Sequence, residues 1–195
     1  MAITSLSTSS LVSGVKRRRV WDQTATTDGF FQIATTTLNV AASSVTFSSI
    51  PQDYTHLQIR GIVRSTLGAA LSAFGVQFNA TTSGYFSHLL YGDGSSGDSA
   101  NVLSSTNASV GVSSGASATA NIFSSFVLDI LDYTNTNKNK TTKAFTVADL
   151  NGSGQVRFTS GSVALTSAIT SLKFIDANGA NFAQYSSFAL YGIKG

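Results

Sequence analysis

The stretch from Ile50 to Ser65, IPQDYTHLQIRGIVRS, constrains the fold more than any other segment. It begins beside the only proline of the chain, a residue without a backbone donor that suits a turn or the first position of a strand. Beyond it, apolar and polar residues alternate. Leu57, Ile59, Gly61 and Val63 share one face of an extended segment, while His56, Gln58, Arg60 and Arg64 share the other, with Ile62 as the exception. That is the pattern of a half-buried strand with one dry side.

Similar runs recur at short spacing. The pattern predicts strands near 30–38, 44–49, 55–65, 73–79, 85–91, 121–131, 142–150, 155–160, 169–175 and 187–193. Asn151-Gly152 and Asn178-Gly179 supply residues that tolerate positive φ, as tight hairpins need, and the NGSG at 151–154 is the strongest hairpin signal. The Ser/Gly/Asn-rich stretch at 92–120 reads as the longest loop region, with a short strand near 110–113. Such a series without a convincing helix predicts an all-β chain: an antiparallel, two-sheet, jelly-roll-like β-sandwich over 29–195. The expected inward residues are Leu57, Ile59, Phe74, Val76, Phe78, Phe126, Leu128, Ile130, Phe145, Val147, Phe158, Leu172, Phe174, Phe188 and Leu190. Both faces are apolar at 121–131, which predicts a central strand covered by the second sheet on one side and by a neighbouring subunit or the N-terminal arm on the other.

Composition agrees with this class. Only 11% of the 195 residues are charged, and all nine acids are aspartate. Thr, Val, Phe and Ser suit a pleated surface better than a helix interior. There is no cysteine, so disulfides and thiolate metal sites are excluded, and stability must come from packing or assembly. No run of about 18 apolar residues is present to span a bilayer, so no membrane partner is expected.

The formal charge of +3 is local. Lys16, Arg17, Arg18 and Arg19 are contiguous, and +3 less these four leaves −1 for the remainder, so the body has no basic excess for a phosphate backbone. Residues 1–28 read as an extended N-terminal docking arm, with a Ser-rich transit peptide as the rival reading. Trp21, just past the basic run, is either an interface anchor or a plug for one end of the sandwich. The basic run suits a nuclear signal, a nucleic-acid contact or a clamp on protein carboxylates. The clamp is the favoured use, because interleaved aromatics are missing and Arg forks carboxylates bidentately.

Four segments in order, SSIPQDYTHLQIRGIVRST at 48–66, DILDYTNTNKNKTT at 129–142, NGSGQVRFTSG at 151–161 and ANFAQYSSFALYGIKG at 180–195, resemble a family of small virion proteins encoded by tailed bacteriophages, especially marine and environmental ones. The resemblance covers most of the body and is weakest in the arm. It implies a β-sandwich structural component of the virion, assembled in the host cytoplasm and described variously as head decoration, minor tail or tail fibre.

Catalytic constellations are weak. His56 and His88 are the only imidazoles, and strand histidines are far more often surface residues than bases. Gly152-Ser153-Gly154 belongs to a turn, not a nucleophile elbow. The acid pairs Asp129/Asp132 and Asp93/Asp98 lack a spacing diagnostic of a glycosidase. Asp129 is expected to accept hydrogen bonds or to pair with a basic neighbour such as Arg60 or Arg157, and Asp132 to occupy a turn beside Tyr133. Asp93, Asp98, Asn101, Asp176, Asn178 and Asn181 offer oxygen ligands for calcium, yet the bidentate Glu of an EF-hand is missing and 176–181 reads as a hairpin. No cofactor or metal is therefore expected. The reading is a non-enzymatic, homo-oligomeric capsid decoration or cement protein, such as a trimer, held to major capsid or tail proteins by Lys16, Arg17, Arg18, Arg19 and Trp21. The alternative is a tail-fibre or receptor-binding protein contacting host glycans, and a polysaccharide-binding or polysaccharide-degrading module is a third class.

Overall fold

Period-two alternation becomes twelve strands in the computed structural model, which describes residues 29–194. They are β1 (Phe30–Thr37), β2 (Ser44–Phe47), β3 (His56–Val63), β4 (Leu71–Phe78), β5 (Tyr85–Gly92), β6 (Gly97–Ser105), β7 (Ala108–Ser114), β8 (Ser124–Leu131), β9 (Lys140–Asp149), β10 (Gly154–Val163), β11 (Leu172–Asp176) and β12 (Ser187–Ile193). The chain is all-β. An eight-stranded sheet runs β1-β12-β3-β8-β9-β10-β5-β6, and a four-stranded sheet runs β2-β11-β4-β7. Neighbours in both sheets pair antiparallel, and the pair forms a β-sandwich. The docking-arm residues Lys16, Arg17, Arg18, Arg19 and Trp21 lie outside the described residues.

The segment 50–65 behaves as its alternation requires. Leu57, Ile59 and Val63 are buried in β3, while Ile62 is 45% exposed on the opposite face. Pro51 sits in the preceding turn, where its carbonyl accepts the hydroxyl of fully buried Tyr133. Between the sheets an aromatic cluster interlocks. Phe74 meets Phe126 with ring centroids 5.2 Å apart, Phe174 meets Phe188 at 5.1 Å, and Phe182 closes on Phe188 at 5.3 Å. Removing any one of these buried rings costs about 3–5 kcal/mol.

Three expectations need correction. The Ser/Gly/Asn-rich stretch is not mainly loop: it forms β6 and β7, and Ala108, Val110 and Val112 of β7 are buried against the large sheet. The Asn178-Gly179 turn is no hairpin, because β11 ends in the small sheet and the chain passes to β12 in the large one. Gly179 does adopt positive φ there. Asn151-Gly152, by contrast, joins the directly paired β9 and β10 with both residues at positive φ.

The third correction concerns which face of β9 and β10 is inside. Phe145 and Phe158 are 37% and 59% exposed, and Val147 is only partly covered. The buried set is instead Lys140, Thr142, Ala144, Thr146 and Ala148 on β9, with Thr159, Gly161 and Val163 on β10. β7 explains the inversion. Thr146 Oγ1 donates to the Val110 carbonyl across the sandwich at 3.1 Å, and a Cβ on Gly111 would stand 2.0 Å from that same Oγ1. Backbones this close leave room inside for small side chains only, so strand parity sends the aromatics outward.

Lys140, although charged, is 1% exposed. Its ammonium donates to the backbone carbonyls of Asn135, Lys138 and Thr166, tying the turn after β8 to the segment after β10. Burial pulls its pKa below the usual lysine value.

Candidate binding face of the large sheet

Strand register arranges the outward side chains of the large sheet in rows that cross the strands. One row is polar: Tyr191, Gln58, Asp129, Lys143, Ser160, His88 and Asn101 stand on β12, β3, β8, β9, β10, β5 and β6 in turn. The adjacent row is largely apolar, with Arg60, Val127, Phe145, Phe158, Leu90 and Ser99 on successive strands from β3 to β6. Val147 and Val156 extend the apolar surface one row further. Leu90 is 62% exposed and Val156 44%.

The two halves of this face differ in how their polar groups are used. From β1 to β9 the groups satisfy one another. Phe30 stacks on Tyr191 at 4.6 Å, and Arg60 lies over the Phe30 ring at 5.2 Å. Arg60 Nε donates to Gln58 Oε1 at 2.7 Å, Gln58 Nε2 donates to Asp129 Oδ1 at 2.7 Å, and Lys143 Nζ pairs with Asp129 Oδ2 at 3.4 Å. Asp129 thus accepts a hydrogen bond and pairs with a basic neighbour, as expected, the neighbour being Lys143 in place of Arg60 or Arg157.

From β10 to β6 the chain of bonds stops. A groove of about 670 Å³ crosses β9, β10, β5 and β6, walled by Lys143, Phe158, Ser160, His88, Leu90, Ser99 and Asn101. The inward-facing neighbours Leu89, Ala144 and Thr159 supply its floor, where the backbone is spent in the ladder. On the opposite face of the same strands Tyr91 donates to Asp98 at 3.2 Å, which raises the tyrosine pKa, and Arg157 lies 5.4 Å over the Tyr91 ring.

The other sequence candidates are dispersed. His56 Nδ1 accepts the Asp132 backbone N–H at 3.0 Å. Asp132 takes Lys138 Nζ at 2.8 Å, and that ammonium holds its carboxyl below the usual aspartate value. Asp132 also adopts positive φ in the turn that carries Tyr133. Asp93 caps its own turn by accepting the Ser95 and Ser96 N–H groups, both at 2.8 Å, and these bonds lower its pKa as well. Asp176 is buried and accepts the hydroxyls of Ser65 and Ser72 and the N–H of Asn178. Among the described residues no three acidic or imidazole side chains converge on a metal-sized site.

Phe158, Leu90 and Ser160 were not singled out as site residues by sequence reasoning, and Asn101 only as an oxygen ligand for calcium. A signal was present, however: in KTTKAFTVAD the alternate set Thr142, Ala144, Thr146 and Ala148 is uniformly small, the mark of a face pressed against a close neighbour. No family model matches the chain, and no curated protein matches it.

Proposed function

We propose that the chain is a non-enzymatic structural component of a tailed-phage virion, a capsid decoration or cement protein present in several copies and fastened by residues 1–28. The observation that carries this reading is where the body begins. Among the described residues β1 is the outermost strand of the large sheet and follows directly on residue 29, so the segment proposed to dock joins the body at a sheet edge. Among the described residues no strand pairs with the outer side of β1, and such an edge can receive a partner strand.

The segment resemblance supports the same reading, and strand order supports its jelly-roll form. β2-β11-β4-β7 follows the order of one jelly-roll sheet, and β3-β8 with β5-β6 follows the other, opened by the inserted β9–β10 hairpin. Support for a non-enzymatic role comes from the acids: Asp93 and Asp132 are shifted toward the ionised form, opposite to what a general acid needs. The groove on β9, β10, β5 and β6 favours the second reading, a tail-fibre or receptor-binding protein.

Gold-labelled antibody against the protein, imaged on intact particles, separates head surface from tail tip. Deleting residues 1–20 should abolish particle binding with the sandwich intact. Binding that survives the deletion, or particles without label, overturns the proposal.

A further inference from the structure

We infer that the groove across β9, β10, β5 and β6 is a saccharide site, with Phe158 as the platform for a pyranose ring and His88, Ser160 and Asn101 as its hydrogen-bonding edge. This goes beyond the virion reading and stands on the groove's own chemistry, for either place on the particle.

Two observations carry it. The first is unspent polarity on rigid strands. Ser160, His88 and Asn101 are adjacent by register, and their side chains make no hydrogen bond or ion pair among the described residues. Polar side chains on the β3–β9 half of the same face bond one another. The second is the neighbouring row, where Phe158 and Leu90 stand 59% and 62% exposed beside that polar edge. A ligand that fills the groove must therefore be apolar on one face and rich in hydroxyls along one edge, which describes a pyranose.

Other ligand classes fit less well. The ladder consumes the backbone groups of the floor on β9, β10 and β5, so an extended peptide lying in the groove finds no main-chain partners on these strands. An anionic phosphate would need free cations, and Lys143 is already paired with Asp129. A lipid would leave the Ser160–His88–Asn101 edge without partners. The volume of about 670 Å³ lies within the usual range for small-ligand sites, so a short, uncharged oligosaccharide is the expected occupant.

The full chain should be titrated with unmodified trisaccharides of glucose, galactose, mannose, rhamnose and N-acetylglucosamine, followed by saturation-transfer NMR and calorimetry. At least one should bind with a dissociation constant at or below about 1 mM. Phe158→Ala should weaken it by about tenfold or more and Asn101→Ala by about threefold or more, while Ile62→Ala, on the same face but outside the groove, should leave it unchanged. All three variants should still unfold in one cooperative transition, because the three positions are on the exposed face. The inference is overturned if no trisaccharide binds, if either groove variant binds as tightly as the parent, or if Phe158→Ala splits an oligomer of a protein that binds no sugar. None of these results bears on particle labelling, which tests the virion reading separately.

Discussion

Phe145 on β9 and Phe158 on β10 face each other across a ladder pair with ring centroids 4.7 Å apart, on the solvent side of the large sheet. Large aromatics at alternate positions of neighbouring strands ordinarily mark the core. Here the inner face beneath them belongs to Thr, Ala and Gly, because β7 passes too close to admit anything larger.

This placement predicts opposite outcomes for two phenylalanines. Phe158→Ser should cost no more than about 1.5 kcal/mol, the loss of one exposed cross-strand ring pair with Phe145. Phe126→Ala should cost about 3–5 kcal/mol, since its ring lies between Phe74, Phe174 and Phe188. Urea unfolding of both variants checks the pair; equal losses would place β10 the other way round.

Gly111 is needed for the approach of β7 to β9. A Cβ there would stand 2.6 Å from Thr146 Cβ and 2.0 Å from Thr146 Oγ1, so Gly111→Ala should destabilise by about 1–3 kcal/mol. Gly111→Ala combined with Thr146→Ala should recover part of the loss, which a double-mutant cycle measures.

Thr159 Oγ1 is buried, and it has no hydrogen-bond partner among the described residues. An unsatisfied buried hydroxyl is costly, whereas an apolar group of the same shape is not. Thr159→Val should therefore raise stability by about 1 kcal/mol, seen as a higher urea midpoint at unchanged slope; a loss would reveal a hidden partner.

Asp176 joins two sheets through three bonds. Ser65 Oγ donates to it at 2.6 Å, Ser72 Oγ at 2.8 Å and the Asn178 N–H at 2.8 Å. Asp176→Ala leaves those donors without their acceptor and should cost about 2–4 kcal/mol. Asp176→Asn keeps one acceptor and should cost less, again by equilibrium unfolding.

Acid should weaken the fold through Asp132 and Asp93. Both have folded-state pKa values below the ordinary 3.8, Asp132 mainly through the bond from Lys138 and Asp93 through the Ser96 and Ser95 N–H groups. The unfolded chain therefore binds protons first as pH falls. Their stabilisation is fully present above about pH 4 and disappears as pH falls from 3.8 through the lower folded-state values. Asp132→Asn with Asp93→Asn should flatten the stability profile below pH 4; an unchanged slope would assign acid sensitivity to other carboxylates.

Much of the architecture is legible in local pattern. Period two at 56–63, Asn-Gly between two alternating runs and the scarcity of helix formers each report on backbone preferences that a short segment expresses by itself. β6 and β7 were harder to read, because Ser, Ala, Gly and Asn carry little hydrophobic contrast and their strands are fixed by the ladders that receive them. The saccharide groove was less legible still, since it assembles residues from β9, β10, β5 and β6.

By itself, then, the sequence determined an all-β chain, the faces of β3 and β8, and the β9–β10 turn, because alternation and turn chemistry act over a few neighbouring residues. Tertiary structure alone decided which side of β9 and β10 is interior and which polar groups remain unspent. Those depend on how near β7 approaches and on which strand lies alongside which, distances that no single segment encodes.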